Sequence, residues 1–93
     1  MELNIDNITL KDTKLKISAW CLMMRKSNHE TQIELASKLN VSHKTIANLE
    51  KGNNFTIDTL LKVLQYFDRL DLIYEFISDQ VETEREKEQV SLY

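Results

Sequence analysis

The sequence has no proline and only one glycine, so tight reversals of the chain must use Asn, Asp or Ser. Its single cysteine, Cys21, cannot form an internal disulfide, which excludes the disulfide-rich secreted class and suits a reducing cytoplasm. No signal-peptide pattern is visible, and the longest apolar run is far too short to span a bilayer. We therefore expect a cytoplasmic chain of at most one domain with no membrane partner.

The net charge of −3 is unevenly distributed over the 93 residues. Residues 25–54 hold five basic and three acidic side chains, a balance of +2, whereas residues 68–93 hold three basic and eight acidic ones, a balance of −5. The acidity therefore belongs to the C-terminal part of the chain. The overall acidity therefore does not exclude an anionic partner for the middle of the chain.

The N-terminal segment alternates apolar and polar residues, and this pattern predicts a short strand. The alternating apolar residues are Leu3, Ile5, Ile8 and Leu10, with a break near Asn7. At the other end, the segment TEREKEQ is charged and poor in apolar residues, which predicts frayed helix or disorder. We therefore divide the chain into an N-terminal strand or arm over residues 1–10, a helical domain over residues 11–79 and a charged tail over residues 80–93.

Helical periodicity predicts five short helices, of which the first covers residues 13–27 with Ile17, Cys21 and Met24 on its core face. Capping residues predict where the next three helices begin: Thr31, which opens a T-x-x-E capping box, then Ser42 and Thr56. Asn40 and Gly52 are predicted to end the second and third helices, because both tolerate a left-handed backbone. The fifth helix is predicted from its apolar residues Leu72, Ile73, Phe76 and Ile77.

Residues 31–50, TQIELASKLNVSHKTIANLE, predict two helices joined by a very short turn. Ala36 permits a close approach of the two helices, and Asn40 permits the turn. Short hydrogen-bonding side chains then face outward from the beginning of the second of these helices: Ser42, His43, Lys44, Thr45 and Asn48. Such a face suits the major groove of DNA, where base edges and phosphates are both within reach.

The stretch TQIELASKLNVSHKTIANLEKG closely resembles the helix-turn-helix of the Cro/C1 repressor family, also called the Xre family. The resemblance extends through NFTIDTLLKVLQYF and covers roughly residues 15–78, and TIDTLLKVL also looks like part of the HipB-type antitoxins. It implies an all-α, five-helix, lambda-repressor-like DNA-binding domain, to which the predicted N-terminal strand is added.

The resemblance also implies roles for individual residues. Gln32 takes the place of a glutamine that contacts phosphate, and Arg25 and Glu50 take the places of a partly buried structural ion pair. The candidate DNA-binding residues are Gln32, Ser42, His43, Lys44, Thr45, Asn48, Lys51 and Asn53.

Three departures from the family pattern carry structural expectations. The family usually has Gly and then an apolar residue where this chain has His29 and Glu30, so the junction of the first two helices is expected to differ. It often has Gly at the position of Asn40. The first helix also carries apolar residues outside its expected core stripe: Ala19, Trp20, Leu22 and Met23.

The resemblance predicts a transcriptional repressor that binds double-stranded DNA as a homodimer on an inverted-repeat operator. One alternative is an antitoxin that represses its own operon and binds a toxin protein. Another is a helical interaction module that has lost DNA binding, against which Gln32 and the polar face argue. We expect no enzyme activity, because no nucleophile–base–orienter set and no glycine-rich phosphate loop are present. We expect no metal, since His29 and His43 lack further ligands at suitable spacing. We also expect no other cofactor, and no small-molecule ligand is evident.

Two surfaces are candidates for the dimer interface. In the first hypothesis, residues 2–8 pair with the same segment of a second chain, or pack across its first helix, and cover Trp20, Leu22 and Met23. Those three residues are equally suited to packing under the N-terminal strand of their own chain. The second hypothesis places the interface on the fifth helix, around Leu72, Ile73 and Phe76.

Overall fold

The computed structural model describes residues 7–91, with side chains described for residues 7–88. This part of the chain forms five α-helices and no strand. The helices are α1 (Leu10–Ser27), α2 (Gln32–Leu39), α3 (His43–Lys51), α4 (Ile57–Tyr66) and α5 (Leu70–Ser91). The predicted all-α class is therefore confirmed. None of the described helices combines the length and the apolar character needed to cross a membrane.

The start of α1 corrects the predicted N-terminal strand. Thr9 Oγ1 accepts the Asp12 backbone N–H at 3.0 Å, and Asp12 Oδ2 accepts the Thr9 N–H at 3.0 Å. This capping box begins the helix at Leu10, earlier than the predicted residue 13, so residues 7–10 contain no strand. The rest of the predicted strand lies outside the described residues.

The next three helices begin at the predicted caps. Thr31 forms a complete capping box with Glu34, and the hydroxyls of Ser42 and Thr56 accept the backbone N–H groups of Thr45 and Thr59. Each cap satisfies a backbone donor that the first turn of a helix leaves without an intrahelical partner. The limits of the helix-turn-helix are therefore determined by local side-chain chemistry.

Each of the first four helices is followed, one or two residues after its last residue, by a left-handed residue with φ between 56° and 76°: His29, Asn40, Gly52 and Asp68. In each case the following residue donates its N–H to a carbonyl of the last turn, which stops the helix sharply. Asn40 and Gly52 were predicted in this role, whereas His29 and Asp68 were not. Gly52 also needs its missing side chain, because a Cβ there would lie 2.9 Å from Leu15 Cδ2.

The core lies where α1, α2, α3 and α4 meet, and the predicted core faces of these helices are confirmed. Its buried residues are Cys21 from α1, Leu35 and Ala36 from α2, Ile46 and Leu49 from α3, and Leu60, Val63 and Leu64 from α4. The prediction that Trp20 lies outside the core stripe of α1 is wrong, because Trp20 is half-buried and packs against this core. Ala19 and Met23 are exposed, as expected of residues outside the core stripe.

Helix α5 is 22 residues long and, among its residues with described side chains, has none that is fully buried. Leu70 and Ile73 at its beginning pack against the core. The helix continues beyond Gln80 to Ser91 without interruption, so the segment predicted as frayed or disordered is helical over residues 80–91.

Candidate nucleic-acid interface

The candidate interface is built on α2, α3 and the three residues between them. Ala36 is 3% exposed and lies where the two helices pack, so a larger side chain there would force them apart. Asn40 has φ 57° and ψ 44°, which turns the chain, and half-buried Val41 packs against the core below the turn. With Ile46 and Leu49 fully buried, the opposite face of α3 is left free to meet a partner.

The predicted contact residues on α3 differ in how free their side chains are. Ser42 Oγ accepts the Thr45 N–H at 3.1 Å and lies 2.8 Å from Thr45 Oγ1, so these two hydroxyls are already engaged with each other. His43 and Lys44 are exposed, and Asn48 is half-buried. Lys51 and Asn53, at and beyond the end of the helix, are exposed as well. The side chains of Lys44, Asn48, Lys51 and Asn53 make no hydrogen bond with any described residue.

Arg25 and Glu50 join the end of α1 to the end of α3. Arg25 Nε donates to Glu50 Oε2 at 2.7 Å and Nη2 donates to Oε1 at 2.8 Å, while Nη1 donates to the Glu30 carbonyl at 2.8 Å. The Arg25 and Glu50 side chains are only 11% and 3% exposed. The hydrogen bonds to Glu50 raise the pKa of Arg25 above its ordinary value. This geometry is a bidentate, water-shielded pair that fixes α3 against α1.

Gln32 connects the ion pair to the exposed face of α3. Its Nε2 donates to Glu50 Oε1 at 2.9 Å, and its Oε1 lies 2.9 Å from His43 Nε2. Gln32 is therefore held by two partners and is not a free surface amide. One hydrogen on Nε2 remains for a further acceptor, which suits the phosphate contact implied by the family resemblance. Nothing in the sequence pattern indicated these two hydrogen bonds.

Glu30 forms a second polar cluster behind the interface, which the sequence reasoning missed. The side chain is 7% exposed and accepts hydrogen bonds from the Tyr66 hydroxyl at 3.0 and 2.9 Å and from Asn28 Nδ2. Lys38 Nζ lies 3.3 Å from Glu30 Oε2. Burial acts to raise the pKa of Glu30, but the hydrogen bonds from Asn28, Tyr66 and Lys38 outweigh it and the pKa is lowered. The only available signal was an acidic residue where the family has an apolar one.

Cys21, which was considered for reactivity, lies in the core and takes no part in this interface. Cys21 is 1% exposed, and burial, together with the negative charge of Glu50, raises the pKa of its thiol to about 12. A thiol in this state is a buried small hydrophobe and not a nucleophile. Within residues 7–88, no group of three or more His, Cys, Asp and Glu side chains is arranged to hold a metal ion.

A family model described as helix-turn-helix matches residues 23–74, which include all of α2, α3 and α4. The chain belongs to the Cro/C1-type helix-turn-helix family, also called the Xre family. The Cro/C1 family is a family of DNA-binding transcription regulators, and this general function applies to the chain. No curated protein matches it.

Two residues between α1 and α2, His29 and Glu30, differ from those that are usual in the Cro/C1 family. His29 adopts the left-handed conformation, φ 56°, at the place where Cro/C1 proteins usually have glycine. Glu30 occupies the place of an apolar residue and replaces apolar packing with hydrogen bonds from Tyr66 and Asn28. The junction of α1 and α2 is thus held by a left-handed His29 and a buried, hydrogen-bonded Glu30.

Proposed function

We propose that the protein is a repressor that binds double-stranded DNA as a homodimer, with α3 as the recognition helix of each copy. The observation that carries the proposal is the exposed beginning of α3, where His43 and Lys44 lie close to Gln32 of α2. The Arg25–Glu50 pair holds α3 in place, and Gln32 is bonded to the same Glu50 carboxylate. Base edges in the major groove are within reach of such a helix, and phosphates are within reach of Gln32 and Lys51.

The homodimer is part of the proposal because one short recognition helix contacts too few base pairs for tight binding. Two copies related by a two-fold axis would place their α3 helices about one helical turn, roughly 34 Å, apart on the duplex. The operator is therefore an inverted repeat with half-site centres about 10 bp apart.

Selection of bound sequences from a pool of random duplexes tests the proposal. The expected result is an inverted-repeat consensus, bound by two chains per duplex. A consensus without symmetry, or one chain per duplex at saturation, would contradict the dimer. Equal affinity for the selected site and for unrelated duplexes would contradict sequence-specific repression.

A further inference from the structure

His43 stands at the first position of α3, exposed, with its ring nitrogen Nε2 2.9 Å from Gln32 Oε1. An imidazole can present either a donor or an acceptor at each nitrogen, so its role at a DNA surface depends on where the hydrogen lies. The hydrogen bonds that lead from Arg25 to His43 decide that question.

Which atom donates in each of these hydrogen bonds follows from Arg25, at the buried end of the series. The Arg25 guanidinium has only donors, and it occupies both Glu50 oxygens, at 2.7 and 2.8 Å. The Glu50 carboxylate therefore accepts, and the Gln32 atom at 2.9 Å from Oε1 must be the amide nitrogen. The opposite orientation of the amide would place its oxygen against a carboxylate oxygen, with no hydrogen between them.

With its nitrogen turned toward Glu50, Gln32 presents its amide oxygen to His43. An amide oxygen only accepts, so His43 Nε2 must carry the hydrogen of this 2.9 Å contact. In a neutral imidazole the other nitrogen, Nδ1, then has no hydrogen and is an acceptor. His43 Nδ1 makes no hydrogen bond with any described residue.

We propose that His43 is a specificity-determining residue that presents Nδ1 as an acceptor and recognises the exocyclic amino group of cytosine or adenine. This inference rests on the proposed function and on α3 as the recognition helix. In the major groove the hydrogen-bond donors are the N4 amino group of cytosine and the N6 amino group of adenine, whereas guanine and thymine offer acceptors. Phosphate oxygens also only accept, so the neutral imidazole cannot contact the backbone through Nδ1.

Imidazole nitrogen NMR shifts of the free protein test the tautomer without DNA, at a pH where both histidines are neutral. His29 is the internal reference, because it is exposed and its ring has no hydrogen bond with any described residue. We expect His43 to show hydrogen on Nε2 only and His29 to average between both tautomers. In Gln32→Met, His43 should become like His29. A hydrogen on His43 Nδ1, or His43 shifts unaffected by Gln32→Met, would overturn the assignment.

Base contacts are tested by selecting duplexes with the wild type, His43→Ala and His43→Lys. We expect one position in each half-site to prefer cytosine or adenine with the wild type, to lose its preference with His43→Ala and to prefer guanine with the donor-only lysine. At that position, removing the amino group from the base should weaken the wild type about 2- to 12-fold, the range for one net hydrogen bond, and should not weaken His43→Ala.

The outcomes separate this inference from the proposed function. Specific binding by the wild type with unchanged base preference in His43→Ala would overturn the role of His43 alone. An amino-group deletion that weakens both proteins equally would do the same. A wild type that binds all duplexes equally would overturn both, whatever the tautomer.

Discussion

Arg25 and Glu50 are 25 positions apart in the chain and are joined by two hydrogen bonds of 2.7 and 2.8 Å. The pair connects the last turn of α1 to the last turn of α3, while Gln32 connects the same carboxylate to the beginning of α3. Helix α3, the proposed recognition helix, is thus held near both ends by one buried carboxylate. This arrangement limits rotation of α3, and rotation would displace its exposed side chains from the base edges that we propose they contact.

Arg25→Ala should lower the free energy of unfolding by about 3–5 kcal/mol, because it leaves a buried carboxylate without its charged partner. Chemical unfolding followed by circular dichroism measures the change. The double variant Arg25→Met with Glu50→Leu should regain part of this loss, since no buried charge remains. Full recovery is not expected, because Gln32 and the Glu30 carbonyl each lose a hydrogen-bond partner. Equal unfolding midpoints for wild type and Arg25→Ala would contradict the role of the pair.

Lys44→Ala should weaken binding to the selected operator by about 1–3 kcal/mol, the usual range for a lost base contact, and should relax the preference at one position. Asn48→Ala is expected to act in the same way. Gln32→Ala should weaken binding to all duplexes, because it removes a phosphate contact, which carries no base information. It should also relax the preference at the base position that we propose His43 contacts, because it removes the hydrogen bond that fixes the His43 tautomer. The salt dependence should stay the same, since the Gln32 amide carries no charge. Titrations of specific and unrelated duplexes at two salt concentrations measure these effects.

Lys87→Ala is the matched control for Lys44→Ala, because it removes the same charge from an exposed lysine near the far end of α5. It should leave base preference unchanged. If Lys44→Ala and Asn48→Ala also left affinity and base preference unchanged, α3 would not be the recognition helix.

His29→Gly should stabilise the protein by up to about 1 kcal/mol, because the left-handed conformation is strained for histidine and is adopted freely by glycine. Asn40→Gly should stabilise it less, since asparagine tolerates φ near 57° better than other residues with a side chain. Both residues are exposed, so neither change removes buried apolar contacts. Thermal unfolding of the two variants checks the order. A larger gain from Asn40→Gly than from His29→Gly would contradict it.

Glu30 should make stability depend on pH. Its folded pKa is lowered, so the ionised form stabilises the fold at pH above the ordinary glutamate value of 4.5, and this contribution is lost as pH falls through the folded pKa. Glu30→Gln should therefore be less stable than wild type at about pH 7, with a smaller difference at about pH 4. Urea unfolding at both pH values measures this. A difference that stays constant between them would show that the Glu30 charge contributes nothing.

The sequence predicts the helix starts and the core well because both depend on local chemistry. Thr31, Ser42 and Thr56 cap helices through hydrogen bonds three residues along the chain, and apolar spacing places Leu35 and Ile46 inward. The predicted strand is wrong over its described residues 7–10, because the local Thr9–Asp12 capping box starts a helix there in spite of the alternating apolar pattern.

What could not be predicted depends on contacts between distant residues. Tyr66 reaches Glu30 across 36 positions, and no local pattern indicates that pairing. The hydrogen bond between Gln32 and His43 could not be predicted either, because it depends on the angle between α2 and α3. The family resemblance implied only a separate role for each residue. The candidate contact residues can be predicted from the sequence, whereas the hydrogen bonds that hold them in place depend on how the helices pack.

An apolar groove between α4 and α5 is the place where we expect the second copy to bind. Its apolar lining residues are Ile57, Leu61, Leu70, Ile73, Tyr74, Ile77 and Val81, and Ser78, Glu82 and Arg85 line it as well. Ile57 and Tyr74 are 69% and 72% exposed, although a groove of this kind is normally covered. Leu72 and Phe76, which were expected in the interface with Ile73, do not line it. The exposed apolar lining of the groove, and not Leu72 or Phe76, is therefore the surface through which we expect the dimer to form.

Ile77→Asp should convert the protein to monomer, because it places a charge among the apolar residues that line the groove. Phe76→Asp is its matched control: Phe76 is the neighbouring residue, is 62% exposed and does not line the groove, so the dimer should persist. Deleting residues 1–9 tests the N-terminal hypothesis in the same sedimentation experiment. If the groove forms the interface, only Ile77→Asp sediments as monomer, and its operator affinity falls while its helix content stays the same. A monomer after the deletion, with Ile77→Asp still dimeric, would move the interface to the N-terminal segment.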